Sequence, residues 1–264
     1  MRTMRQRAQA STVRRRESTP LWRGALIALL LLLAFAVPVI AEPVAPWTLL
    51  LSATFRILAD APGWPVNCTG WYAAPLQRFS SPGTRVSAYV TAGHCWTPHV
   101  VEMGGALEQT QTIARVDRAG VDAGIGARMD VRRNPTFLAL ATALPRHGER
   151  ALVAGFSDGH LTEAVLTTLE PMRSGFLSFH SDLALRPGMS GAPIILLRTG
   201  EVVGVLIGIP HDSRGQPDPH TVIATPATSL RALMEFAVPG ALDALRDLRS
   251  PASLLASPGA EPLP

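Results

Sequence analysis

The chain has 264 residues, enough for one large domain or two small ones sharing a core. With 47% hydrophobic and 17% charged residues, its composition excludes a mainly disordered chain. A pI near 10 invites a nucleic-acid partner, but the charge sits at one end. Residues 1–23 hold seven arginines against Glu17, while the remainder carries a net charge of −2. That remainder has no basic patch with interleaved aromatics, so a nucleic-acid binder is not expected.

In chain order, the arginine-rich start is followed by residues 24–41, which carry no charge and are almost purely aliphatic from Leu26 to Leu33. A positive segment ahead of such a run is the pattern of a secretory signal or a signal anchor, with the arginines on the cytoplasmic side. Pro38 breaks the run, and Val39-Ile40-Ala41 offers a signal-peptidase site, with cleavage after Ala41. At 18 residues the run also reaches the lower limit for spanning a bilayer, so a retained single-pass anchor is the alternative. Either outcome places residues 42–264 outside the cytoplasm, secreted, periplasmic or anchored to the outer face of the membrane. Membrane contact is expected only through this segment.

The two cysteines, Cys68 and Cys95, suit that compartment. An even count in an exported segment makes a disulfide the first reading, with two free buried thiols as the alternative. Neither has Cys or His neighbours at zinc spacing, so no metal site is expected.

After the leader, residues 47–58 are apolar with mixed periodicity, either a first strand or a short amphipathic helix. Residues 67–73 read as a strand, followed by a turn cluster at 75–84. Residues 85–91 alternate polar and apolar with β-branched members, the pattern of a half-buried strand. Further short strands are expected at 111–116, 151–154, 163–169, 193–197 and 202–209. Asn134-Pro135, Ser157-Asp158-Gly159, Arg186-Pro187-Gly188 and Thr199-Gly200 mark turns between strands. Many short strands without intervening helices predict an all-β sandwich or barrel. Near the end, Thr228 or Ser229 can cap a helix with one apolar stripe of Leu230, Leu233, Met234 and Phe236. Pro239-Gly240 interrupts it, a second short turn is expected at 242–248, and residues 250–264 read as a tail.

Three segments carry chemistry: Thr91-Ala92-Gly93-His94-Cys95, Val121-Asp122-Ala123-Gly124-Ile125, and Pro187-Gly188-Met189-Ser190-Gly191-Ala192-Pro193. A serine hydroxyl is a weak nucleophile and needs an adjacent base. Imidazole suits that role, and a carboxylate behind it fixes the tautomer and stabilises the imidazolium. Glycines beside the serine let main-chain N–H groups face a developing oxyanion.

These segments resemble the motifs of the trypsin/chymotrypsin-like serine proteases of the bacterial secreted type. TAGHC is similar to the histidine motif, GMSGAP to the GDSGGP serine motif, and DAGI to an aspartate motif that often reads D-x-G-I. The order His, Asp, Ser is also the family's order. The resemblance spans roughly residues 50–240. It implies an all-β fold of two antiparallel six-stranded barrels with a C-terminal helix: a leader at 1–41, a first barrel at 42–130, a second at 131–226, the helical segment at 227–249 and a tail at 250–264. His94 is then the general base, Asp122 its orienting acid and Ser190 the nucleophile of an endopeptidase acting through an acyl-enzyme. Gly188 and Ser190 supply the oxyanion-hole N–H groups. A Cys68–Cys95 disulfide beside the histidine is a family habit, and Ile207, Gly208 and Ile209 lie where the family pairs with substrate backbone. No cofactor or metal is implied, the partner is a protein or peptide substrate, and a monomer is expected.

Departures from the family pattern carry information. Met189 stands where an aspartate often pairs with a newly cleaved N-terminus, so activation by N-terminal insertion is not expected. Only 28 residues separate His94 from Asp122, implying trimmed loops. Ala184, six before the serine, occupies the position that often floors the specificity pocket and favours an uncharged side chain, unless Asp182 or His211 intrudes. For the acid, Asp117 and Asp130 compete with Asp122. The remaining histidines, His99, His147, His160, His180, His211 and His220, read as structural. An α/β-hydrolase elbow is a poor fit because the fifth position of G-x-S-x-G is Ala192. The competing class is a membrane-anchored, catalytically inactive peptide-binding module on the same fold.

Overall fold

In the computed structural model, the described residues are 46–61, 64–76, 85–95, 99–103, 106–118, 120–130, 135–172, 174–211 and 214–239. The expectations for the leader, the turns at 77–84 and Asn134, the turn at 242–248 and the tail lie outside them. Residues 47–58 resolve as both options at once: helix α1 (Pro46–Ala53) runs directly into strand β1 (Thr54–Ala61). Thr54 makes the joint, its hydroxyl donating to Leu50 O at 2.7 Å.

Strands β1, β2 (Trp64–Pro75), β3 (Arg85–Thr91), β4 (His99–Met103), β5 (Ala106–Gln109), β6 (Gln111–Arg118) and β7 (Val121–Asp130) form one antiparallel sheet in the order β5-β4-β1-β2-β3-β7-β6. Strands β8 (Arg150–Ser157), β9 (His160–Thr168), β10 (Leu177–Ser181), β11 (Pro193–Leu196), β12 (Val202–Gly208) and β13 (Thr221–Pro226) close into a six-stranded antiparallel barrel. The expected all-β, chymotrypsin-like class stands. The first half has seven strands rather than six, and no ladder joins β5 to β6 among the described residues.

The half-buried expectation for β3 is wrong: Ser87 through Thr91 are all buried. A strand's side chains alternate between its two faces, and here each face meets a different core. Tyr89 joins Phe55, Ile57 and Tyr72 in the aromatic interior of the first sheet. Ala88 and Val90 instead join the larger core that continues through Trp71, Ala123 and Ile125 into the second barrel. The two halves therefore share one apolar layer. Arg128 from β7 lies in the first interior, 4% exposed, bonded to the Tyr72 hydroxyl and stacked near the Phe55 and Tyr72 rings.

The C-terminal helix α2 (Ala227–Ala237) begins after Pro226, not at a Thr228 or Ser229 cap, and its N-terminus has no side-chain cap bond. Proline's fixed φ lets β13 pass straight into the helix. Leu230 and Met234 are buried against the large core and Leu233 is partly covered, but Phe236 is 84% exposed and does not belong to the stripe. At 3.6 residues per turn Phe236 lies well round from Leu230 and Met234.

Candidate active site

His94 sits in a single helical turn, Gly93–Cys95, that follows β3. Asp122 enters at the start of β7, which pairs with β3 so that Thr91 faces Gly124. Both carboxylate oxygens of Asp122 go to His94. Its Oδ2 lies 2.6 Å from the ring Nδ1, and its Oδ1 accepts the His94 main-chain N–H at 2.9 Å. The approach is possible only because Gly93 has no side chain: a Cβ there would lie 2.5 Å from Val116 O and 2.6 Å from Asp122 Oδ1. The Asp122 side chain is 12% exposed and the His94 side chain 41%, so the carboxylate is covered and the imidazole opens to solvent.

Asp117 does not reach the ring: it points to solvent and lies 3.8 Å from Arg115. Asp130 pairs with Arg85 at the far end of the β3–β7 ladder, eight residues or about 26 Å along the strand from Asp122. From the second barrel, Thr225 of β13 reaches across to the start of β7. Its hydroxyl accepts the Asp122 N–H and donates to Asp122 O, both at 2.9 Å.

Ser190 lies in the turn before β11, partly exposed, with its hydroxyl 3.4 Å from Ile207 O. Its carbonyl accepts the Thr69 N–H at 2.8 Å, which ties the serine loop to β2. Cys68 and Cys95 are disulfide-bonded, and Cys95 Sγ is 3.8 Å from Ser190 O. A disulfide sulfur has no proton, so that is a packing contact. The two sulfurs and a His94 ring nitrogen lie within 4.8 Å of one another. This grouping has metal-site dimensions, but metal binding needs free thiolates, which the disulfide removes. The bridge thus sits between the histidine turn and the serine loop.

Met189 is 1% exposed, packed in the large core against the bare Cα of Gly155. Gly188 has φ +103°, and a Cβ there would lie 2.2 Å from Phe156 O. That conformation and that contact both demand glycine. Neither Gly188 nor Ser190 spends its main-chain N–H on a partner among the described residues.

Strand β12 pairs with β11 as far as Val205, Leu206 bonds Ala192 and Gly191 just before that strand, and a bulge at Ile207 loosens β12 from β13. Ile207, Gly208 and Ile209 thus extend past the β11 ladder, where the Ile207 carbonyl meets the Ser190 hydroxyl. Ile209 lies beyond the strand, one residue short of the expected end. Ala184 is exposed, and Asp182 is committed elsewhere, its carboxylate accepting the Val165 N–H at 2.9 Å.

Residues 79–205 match the trypsin-like peptidase domain. This is a trypsin-like serine protease fold. The chain is similar to the active form of the Rv3671c protease from M. tuberculosis, at 19% identity and a TM-score of 0.56, covering 73% of this chain and 83% of that one. It is also similar to the serine endoprotease from Yersinia pestis, at 16% identity and a TM-score of 0.55, covering 74% and 67%. No curated protein matches in sequence. The trypsin-like domain supports a hydrolase, and the disulfide suggests an oxidising compartment. No helix among the described residues is long and apolar enough to cross a membrane.

Sequence reading overlooked Thr69 and Thr225. Thr69 lies within the strand expected at 67–73 with no role of its own, and Thr225 lies in a segment not read as a strand.

Proposed function

We propose that this chain is an exported serine endopeptidase that cleaves protein or peptide substrates through an acyl-enzyme. The observation that carries the reading is the double engagement of Asp122 by His94. With Nδ1 committed to the carboxylate, Nε2 is left as the base. It takes the Ser190 proton as Oγ attacks the scissile carbonyl, then returns it to the leaving amine. The carboxylate stabilises the imidazolium formed between those steps. The N–H groups of Gly188 and Ser190 receive the oxyanion. The main chain of 207–209, beyond the β11 ladder, takes the substrate as an added strand. The reaction needs no metal or cofactor.

A fluorophosphonate probe tests the reading, since Oγ displaces fluoride only when the hydroxyl is activated. The folded chain should label and Ser190→Ala should not. Equal labelling of both, or labelling of neither, would remove the catalytic reading and leave a peptide-binding module.

A further inference from the structure

The serine loop has an asymmetry. All four carbonyls from Pro187 to Ser190 have donors: Asp158 N at 3.3 Å for Pro187, Thr69 Oγ1 at 3.0 Å for Gly188, Ala192 N at 2.9 Å for Met189 and Thr69 N at 2.8 Å for Ser190. The N–H groups of Gly188, Met189 and Ser190 have none among the described residues. In a trans peptide the C=O and N–H point opposite ways. Pinning the Pro187, Gly188 and Met189 carbonyls therefore sets, one peptide each, the directions of the Gly188, Met189 and Ser190 N–H groups.

Thr69 supplies two of the four donors, and it comes from the other half of the molecule. Its hydroxyl has one proton and accepts the Phe156 N–H at 2.8 Å, so that proton is left for Gly188 O. Its own carbonyl accepts the Thr91 hydroxyl at 2.8 Å, which ties it to the first residue of the histidine motif. The residue is fully buried and confined on one side by Gly155, where a Cβ would lie 2.8 Å from its Oγ1. Of the remaining donors, Asp158 belongs to an exposed turn and Ala192 to the loop's own main chain. Gly188 is free of the Cβ that restrains other residues, so its flanking peptides would flip easily without an anchor. Met189 offers no carboxylate for an ion pair.

We propose that Thr69 is the positioning residue of this loop. Its hydroxyl fixes the Gly188–Met189 peptide and its N–H the Ser190–Gly191 peptide. These flank the peptides that carry the Gly188 and Ser190 N–H groups and restrict the rotations by which those groups would leave the cleft. The assignment rests on the reading of Ser190 as nucleophile. It places loop competence in an internal hydrogen bond rather than in a cleaved N-terminus.

The test compares full-length wild type, Thr69→Val and Thr69→Ser. Valine keeps the shape and removes the hydroxyl, while serine keeps the hydroxyl and removes a methyl. On an activated peptide ester, Thr69→Val should lose about 10–100-fold in kcat, less than the roughly 100–1,000-fold of removing an oxyanion donor outright, with KM within about twofold. Thr69→Ser should recover most of it. In parallel, the amide resonances of Gly188, Met189 and Ser190 should move in Thr69→Val and return in Thr69→Ser. Should valine prevent folding, Thr69→Ala is read in the same way. Full kcat with unmoved loop amides in the hydroxyl-free variant, or a serine variant as impaired as the valine one, would overturn the proposal. Failure of the nucleophile reading looks different: wild type does not label with fluorophosphonate, while the amide comparison still decides whether Thr69 holds the loop.

Discussion

The Thr225 hydroxyl holds Asp122 by both of its main-chain polar groups, at 2.9 Å each. The two residues are 103 positions apart and lie on different sheets. The acid that grips His94 is therefore itself gripped from the second barrel, and the two halves must dock correctly for the histidine to be aimed. Thr225→Val keeps the volume but leaves a buried N–H and C=O without partners. It should cost about 1–3 kcal/mol of stability, measured by denaturant unfolding, and lower kcat as Asp122 loosens. Thr225→Ser should restore most of both. Equal stability of the valine variant would show that the hydroxyl contributes nothing.

Asp122→Asn leaves the shape intact but favours the wrong histidine tautomer. In such a triad that change lowers kcat about 10⁴-fold. Asp117→Asn, on an exposed side chain paired with Arg115, should leave kcat unchanged. Kinetics of the two variants on one substrate separates the candidates, and the reverse pattern would assign the role to Asp117.

Gly93→Ala introduces a methyl where Val116 O and Asp122 Oδ1 already lie within 2.6 Å. Overpacking of this kind typically costs about 1–3 kcal/mol. Here the same displacement lengthens the His94–Asp122 bond, so activity should fall more than stability does. Thermal unfolding and turnover measured on one preparation check both parts.

Titration of the denatured, unreduced chain should find no free thiol, since both cysteines are paired. Replacing Cys68 and Cys95 together by alanine should cost about 2–5 kcal/mol. It should also slow labelling of Ser190, because the bridge separates the histidine turn from the serine loop.

Tyr89 gives stability a dependence on alkaline pH. Burial pushes its phenol from 10.0 to about 12, although the bond to Thr110 pulls the other way. Between pH 10 and 12 the unfolded chain loses this proton and the folded chain keeps it, so stability falls as pH rises through that window. The loss reaches about 2–3 kcal/mol. Tyr89→Phe should flatten this part of the pH–stability curve, and an unchanged slope would contradict the assignment.

The strands that sequence patterning found were those with strong local signals. RVSAYVT became β3 with both ends as expected, and the apolar run before Arg198 became β11. Strands β4, β5, β10 and β13 went unread, and β7 stood only as the segment that carries the aspartate motif. LSFHS is short and mostly polar, and TVIATP ends on a proline that reads as a break. Their strand character comes from barrel partners far along the chain, which no local window contains. The site follows the same division. His94 and Ser190 stand in dense motifs, whereas Asp122 had only its Ala-Gly-Ile context to set it apart from Asp117 and Asp130. Thr69 and Thr225 carry ordinary β-branched side chains in strands, and what distinguishes them is bonding to partners 119 and 103 residues away. The double burial of β3 was hidden for a related reason: alternation reveals two faces but not that both meet a core.

The central claim, that Ser190 is a nucleophile activated by His94, is tested most directly by trapping its acyl adduct. The chain is mixed with an activated acyl ester, quenched in acid and digested, and the modified peptide is sequenced by mass spectrometry. The account predicts one acyl group on the peptide that carries Ser190, absent from both Ser190→Ala and His94→Ala. An adduct that persists in Ser190→Ala, or that forms equally fast in His94→Ala, would contradict it.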